Sequence, residues 1–162
     1  MKTINQYIQE KLVLNKGLVN SNNLFIEIYN DYIERGNKFS IIPVEKRIEQ
    51  LERLNLNSDD VSMKFGPNHF SLYGLNDLLL LRVDFPTKTN NEGLYIKFTD
   101  TIKEALKLRK SWSDFVKLFG FNSIFEYNEW KKNLIEDLSM ETNKNISSEP
   151  GLHYIIRLNK NV

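Results

Sequence analysis

The sequence contains no cysteine, which excludes disulfides, thiol nucleophiles and thiolate metal sites and leaves the redox compartment unread. Histidine is nearly as scarce, with only His69 and His153, so no H-E-x-x-H zinc motif can be written. Seven scattered glycines form neither G-x-G-x-x-G nor a P-loop, and Asp59-Asp60 lacks the glycine and closing glutamate of a calcium loop. No cofactor and no metal are expected. The longest apolar run, Leu78 to Leu81, is strand-sized and falls far short of the about 18 residues that would suggest a membrane span. The opening residues lack the apolar core of a signal peptide, so the expectation is a soluble cytoplasmic protein without membrane contact. An excess of charge is also missing. Twenty-two basic side chains face twenty-one acidic ones, which gives no global field toward nucleic acid or an anionic surface.

What the sequence does have is aromatic side chains. Trp112, Phe115, Phe119, Phe121, Phe125, Tyr127 and Trp130 fall within the first twenty positions of the stretch Ser111 to Leu138. Each can bury roughly 150–250 Å², so this stretch reads as a core or an interface.

Helix and strand periods divide the chain. Thr3 to Leu12 carries a capping box and one apolar face, a short N-terminal helix within residues 1–16, and residues 17–162 then read as one α+β domain. Phe25, Ile28, Tyr29, Tyr32 and Ile33 follow the helical template, with Gly36 as its stop. Pro43 opens a third helix in which Glu49 and Arg53 form an i, i+4 pair. Val61–Phe65 and Phe70–Tyr73 flank Gly66-Pro67-Asn68 as a hairpin. Asp77 to Phe85 reads as a strand buried on both faces, and Leu94, Ile96 and Phe98 alternate inward. Helix starts at Thr101, Ser111 and Ser123 each have an acid three residues later. Ser139 to Glu149 reads as a polar, mobile loop, and Leu152 to Leu158 returns to the sheet. The expected architecture is a mostly antiparallel sheet of four or five strands covered by helices.

Three constellations carry candidate functions. Trp112, Phe121 and Trp130 lie at helix ends or off the main apolar stripe and are the residues expected to bind a protein partner or to support self-assembly. Lys103, Lys107, Arg109, Lys110 and Lys117 outnumber Glu104 and Asp114 and could place a basic helix face against nucleic acid. Asp84, Glu92 and Asp100 lie near strand ends, where catalytic acids often sit.

Two resemblances add to this. His69-Phe70-Ser71-Leu72 resembles the H-hydrophobic-[Ser/Thr]-hydrophobic motif of the 2H phosphoesterases, and His153-Tyr154-Ile155-Ile156 resembles it with isoleucine at the hydroxyl position. That resemblance implies His69 and His153 as acid and base, with Ser71 holding a phosphate. The opening INQYIQEKLVLNK, with Lys11, Leu12, Val13, Leu14, Asn15 and Lys16, resembles small accessory proteins encoded by bacteriophages and prophages of gut bacteria. It implies an origin, and with it a place in the host cytoplasm or a virion, but no activity. The leading expectation is a non-enzymatic phage or mobile-element accessory protein, a virion component or an inhibitor of a host protein. The 2H-like phosphoesterase comes second and nucleic-acid binding third.

Overall fold

The computed structural model describes residues 23–35, 42–89, 91–143 and 152–158. The proposed N-terminal helix and the Gly36 stop lie outside the described residues.

Helix α1, Leu24–Glu34, starts at Asn23, whose side chain accepts from the amides of Phe25 and Ile26. This satisfies donors that a helix start leaves open. Helix α2, Val44–Arg53, follows Pro43. A hairpin joins β1, Ser62–Gly66, to β2, His69–Tyr73, and a 3₁₀ turn at Leu75–Asp77 leads into β3, Leu79–Asp84. After β4, Gly93–Phe98, come the short helices α3, Thr101–Lys107, and α4, Trp112–Val116. The long α5, Ile124–Asp137, precedes the two-residue β5, Glu141–Thr142, and β6, His153–Arg157.

The fold is α+β, with a sheet in the order β1-β2-β3-β4-β6-β5 and every neighbouring pair antiparallel. It has six strands, not four or five. The additional strand, β5, comes from the segment expected to be a mobile loop. Both of its residues are exposed and it has no apolar period to announce it.

Strand alternation divides the sheet cleanly. Phe70, Leu72, Leu81, Val83, Leu94, Ile96 and Phe98 point to one face and form the core with the helices. Ring contacts place α1 over β2 and the end of β3 through Phe25–Phe70 and Tyr32–Phe85, while α5 lies over β4 through Trp130–Phe98. The opposite face carries Lys64, Ser71, Arg82, Lys97 and His153 in one row across β1, β2, β3, β4 and β6. Thus β3 is not buried on both faces as expected. Arg82 and Asp84 stand on its outer side, half exposed, because antiparallel sheets can leave one face in water.

Arg53 does not pair with Glu49 as expected. It bonds both carboxylate oxygens of Glu27 on α1, at 3.0 and 2.9 Å, because the packing of α1 against α2 offers a two-toothed partner. The start of α3 also differs: Asp100, not Thr101, caps it, accepting from the Lys103 amide.

Candidate functional site

Register decides the histidine pair. His69 on β2 stands opposite Asp84 on β3, whereas His153 on β6 stands opposite Lys97 on β4. Both side chains face away from the helices. Two strands separate β2 from β6, so the residues stand about 14 Å apart across the sheet, before any offset along it. One phosphate between two imidazoles needs about 5–8 Å, so His69 and His153 do not form an acid–base pair. The four-residue motif fixes which face each histidine takes, but strand order fixes the distance.

His69 has its own surroundings. Pro67, Asn68, Arg82, Asp84 and Tyr95 line a hollow of about 490 Å³ beside it. The Arg82 guanidinium lies 3.4 Å from His69 Nδ1, and since arginine can only donate, Nδ1 accepts and the ring proton sits on Nε2. Burial lowers the imidazole pKa, the Arg82 charge lowers it further, and Asp84 opposes them. His69 is therefore a neutral ring near pH 7. Its ring rests on Gly66, where any Cβ would collide with the imidazole. Ser71, expected to hold a phosphate, is buried next to Arg82 in the row, and its hydroxyl has no hydrogen-bond partner.

Charge on this outer face is compensated locally. Lys64 pairs with Asp77, Arg82 with Asp84, and Arg157 with both Glu92 and Glu141. The acids considered as catalytic candidates therefore have structural partners: Asp84 on Arg82, Glu92 on Arg157 and Asp100 on the α3 cap.

The α3–α4 surface is different. Thr101 and Ala105 turn inward, which leaves Ile102 and Leu106, one turn apart, 54% and 72% exposed. The Trp112 indole, 36% exposed, donates from Nε1 to Thr101 Oγ1 at 2.9 Å and so lies beside the start of that stripe. Lys103 and Lys107 run along its other side, with Arg109 and Lys110 just beyond. Lys107 pairs with Glu104, and Lys117 with Asp114 on α4. The tryptophan expected at a partner surface and four of the five cations expected at nucleic acid thus share one patch, centred on two aliphatic residues that the helix period did not mark.

Phe121 and Trp130 are placed otherwise. Both are buried, packed on Tyr127 and on each other, and the Trp130 Nε1 donates to the Leu54 carbonyl at 2.8 Å. Neither offers the exposed ring expected of a partner anchor, because the α5 stripe that carries Trp130 packs on the sheet. They form instead the floor of a groove of about 740 Å³ between the end of α2 and one side of α5. Phe125, 73% exposed, is the aromatic of the stretch most open to water, and helical position alone did not distinguish it.

Among the described residues, no group of three or more histidine or acidic side chains is arranged to hold a metal ion, and no helix is long and apolar enough to cross a membrane. No protein-family model, curated protein or solved structure matches the chain.

Proposed function

We propose that the protein acts by protein–protein contact, as a non-enzymatic accessory protein of a phage or mobile element, and that the α3–α4 patch is its contact surface. The observation that carries this reading is the exposure of Ile102 and Leu106 one turn apart, with Leu108 and the Trp112 indole exposed beside them in the same short stretch, whereas the exposed Val44, Leu75 and Phe125 are separated from them in the sequence. Covering such a side chain is worth about 1.5–3 kcal/mol, and a contiguous exposed apolar patch is a common mark of an interaction site. The basic border adds specificity: a partner that meets it presents apolar groups among carboxylates. A virion neighbour and an inhibited host protein both fit this chemistry.

The test is affinity purification from the native cell or virion with two baits in parallel, the unchanged chain and Leu106→Asp. Position 106 lies in water, so the variant should keep its melting behaviour within about 0.5 kcal/mol. A protein retained by the first bait and lost with the second supports the reading. Identical companions for both baits would overturn it, as would a turnover activity that survives purification and vanishes in His69→Ala.

A further inference from the structure

Asp84 on β3 stands opposite His69 on β2 and opposite Tyr95 on β4, so one row of the outer face carries two rings with a carboxylate between them. Two strand spacings put the backbones of those rings about 9.5 Å apart. A flat ring held between two others needs about 7–8 Å, two van der Waals contacts of about 3.5–4.0 Å, so the hollow admits one ring. Arg82 lines the same hollow and sets its guanidinium against Asp84 and His69. Its Nε donates to both Asp84 oxygens at 3.0 and 3.1 Å, and its Nη2 donates to Asp84 Oδ1 at 2.8 Å and to His69 Nδ1 at 3.4 Å. That uses three of the five N–H groups and fixes the plane, and it leaves the two on Nη1 without an acceptor among the described residues. The Arg82 and Asp84 side chains are 42% and 41% exposed and His69 and Tyr95 are half-buried, so these groups are open to a ligand and not sealed in the core. The turn beside them is already held by the Tyr32 hydroxyl, which donates to the Pro67 carbonyl, and a preformed site loses little to ordering on binding.

Charge and donors select the ligand. Arg82 and Asp84 cancel and His69 is a neutral ring, so the hollow has no net charge to hold a phosphate or a metal ion. Its free capacity is to donate. Arg82 Nη1 and the Asn68 amide nitrogen are available, whereas the Asp84 oxygens already accept from Arg82. We propose that the hollow binds the oxo-substituted base of a neutral nucleoside, uracil or guanine, with the ring between His69 and Tyr95 and a carbonyl oxygen on Arg82 Nη1. Arginine donating to a base oxygen and stacking of bases on aromatic side chains are both general modes of base recognition. Adenine has no carbonyl and turns its amino group toward groups that themselves donate. This site shares no residue with the α3–α4 patch and does not depend on its contact role.

Proton NMR tests it on the unchanged chain. Only two histidines occur, so the imidazole Cε1 protons give one signal beside the hollow and one from His153 on β6 as an internal reference, and His69→Gln assigns them. Titration with uridine or guanosine should move the His69 signal, with half the change near about 1 mM for so small a ring, and leave His153 in place. Adenosine, without a carbonyl, and dihydrouridine, which keeps its carbonyls but loses the flat ring, should move it little. The monophosphate of uridine should bind no more tightly than uridine. Tyr95→Leu should weaken uridine binding by about tenfold, the loss of one stacking contact. Arg82→Lys keeps a charge for Asp84 but removes the Nη1 donors, and should abolish the preference for uridine over adenosine. An unmoved His69 signal at about 10 mM uridine overturns the proposal whether or not a variant folds. Equal shifts from adenosine or dihydrouridine, equal movement of both histidines, or tighter binding of the monophosphate also overturn it.

Discussion

The indole N–H of Trp130, in the middle of α5, donates to the main-chain carbonyl of Leu54, seventy-six residues earlier at the end of α2. This one bond ties the helix that covers β4 to the helix pair at the other end of the core. Trp130→Phe keeps ring packing against Phe98, Phe121 and Tyr127 but leaves that buried carbonyl without its donor. The expected loss is about 1–3 kcal/mol, or several degrees of Tm. Trp112→Phe removes a bond nearer the surface, to Thr101, and should cost less than about 1 kcal/mol. Thermal melts of the two variants check this, and equal losses would contradict the burial difference.

Three helices end with a non-glycine residue in the left-handed conformation: Asn55 after α2, Arg109 after α3 and Ser139 after α5. In each, the next amide closes back on a carbonyl of the last turn: Leu56 to Leu51, Lys110 to Ala105 and Met140 to Ile135. Glycine avoids the Cβ penalty of this conformation, about 1–2 kcal/mol. Arg109→Gly and Ser139→Gly should therefore stabilise the fold, each by about 1 kcal/mol, and Asn55→Gly by less, since asparagine tolerates the region. Gly120 gives the opposite sign. Its φ is +89°, and a Cβ there would stand 2.7 Å from Asp60 Oδ2, so Gly120→Ala should destabilise. Denaturant midpoints of the four variants test both directions.

Residues that act through period were legible in the sequence. Leu94, Ile96 and Phe98 alternate inward as their pattern requires, and Gly66-Pro67-Asn68 makes the turn between β1 and β2. The α+β class followed from such segments. Features set by non-local pairing were not legible. Nothing near Arg53 in the sequence points to Glu27, twenty-six positions away, and nothing near His69 reveals that two strands separate it from His153. The proposed contact patch was half legible. Trp112 and the cations stood out by type, but no period marked Ile102 and Leu106, which stand out only because the structure turns Thr101 and Ala105 inward.

Stability should fall on both sides of neutrality, through identifiable groups. His69 is held below its ordinary pKa, first by burial and then by Arg82, so the unfolded chain takes up the proton more readily than the folded one. The contribution is present above about pH 6.5 and lost as pH falls below it. His69→Gln should flatten that acid limb. Tyr127 is shifted up, first by burial and then by Tyr154 and Asp100. The unfolded phenol ionises near pH 10 while the folded one resists, so this contribution is present below about pH 10 and lost above it. The Tyr127 hydroxyl is buried without a hydrogen-bond partner. Tyr127→Phe should then be neutral or slightly stabilising at pH 7 and flatten the alkaline limb, as urea midpoints across pH will show.

Glu136, at the end of α5, makes a last, separable prediction. Glu136 occupies the final turn, where the carbonyl ends of the helix repel it, and that turn contains no basic residue. Reversing such a charge relieves about 0.3–1 kcal/mol per site at low ionic strength, and screening reduces the gain. Glu136→Lys should raise Tm by one to a few degrees at about 0.02 M salt, and by less at about 0.5 M, as thermal melts at the two salt concentrations will show. A fall in Tm would instead show that the Glu136 carboxylate serves the folded monomer.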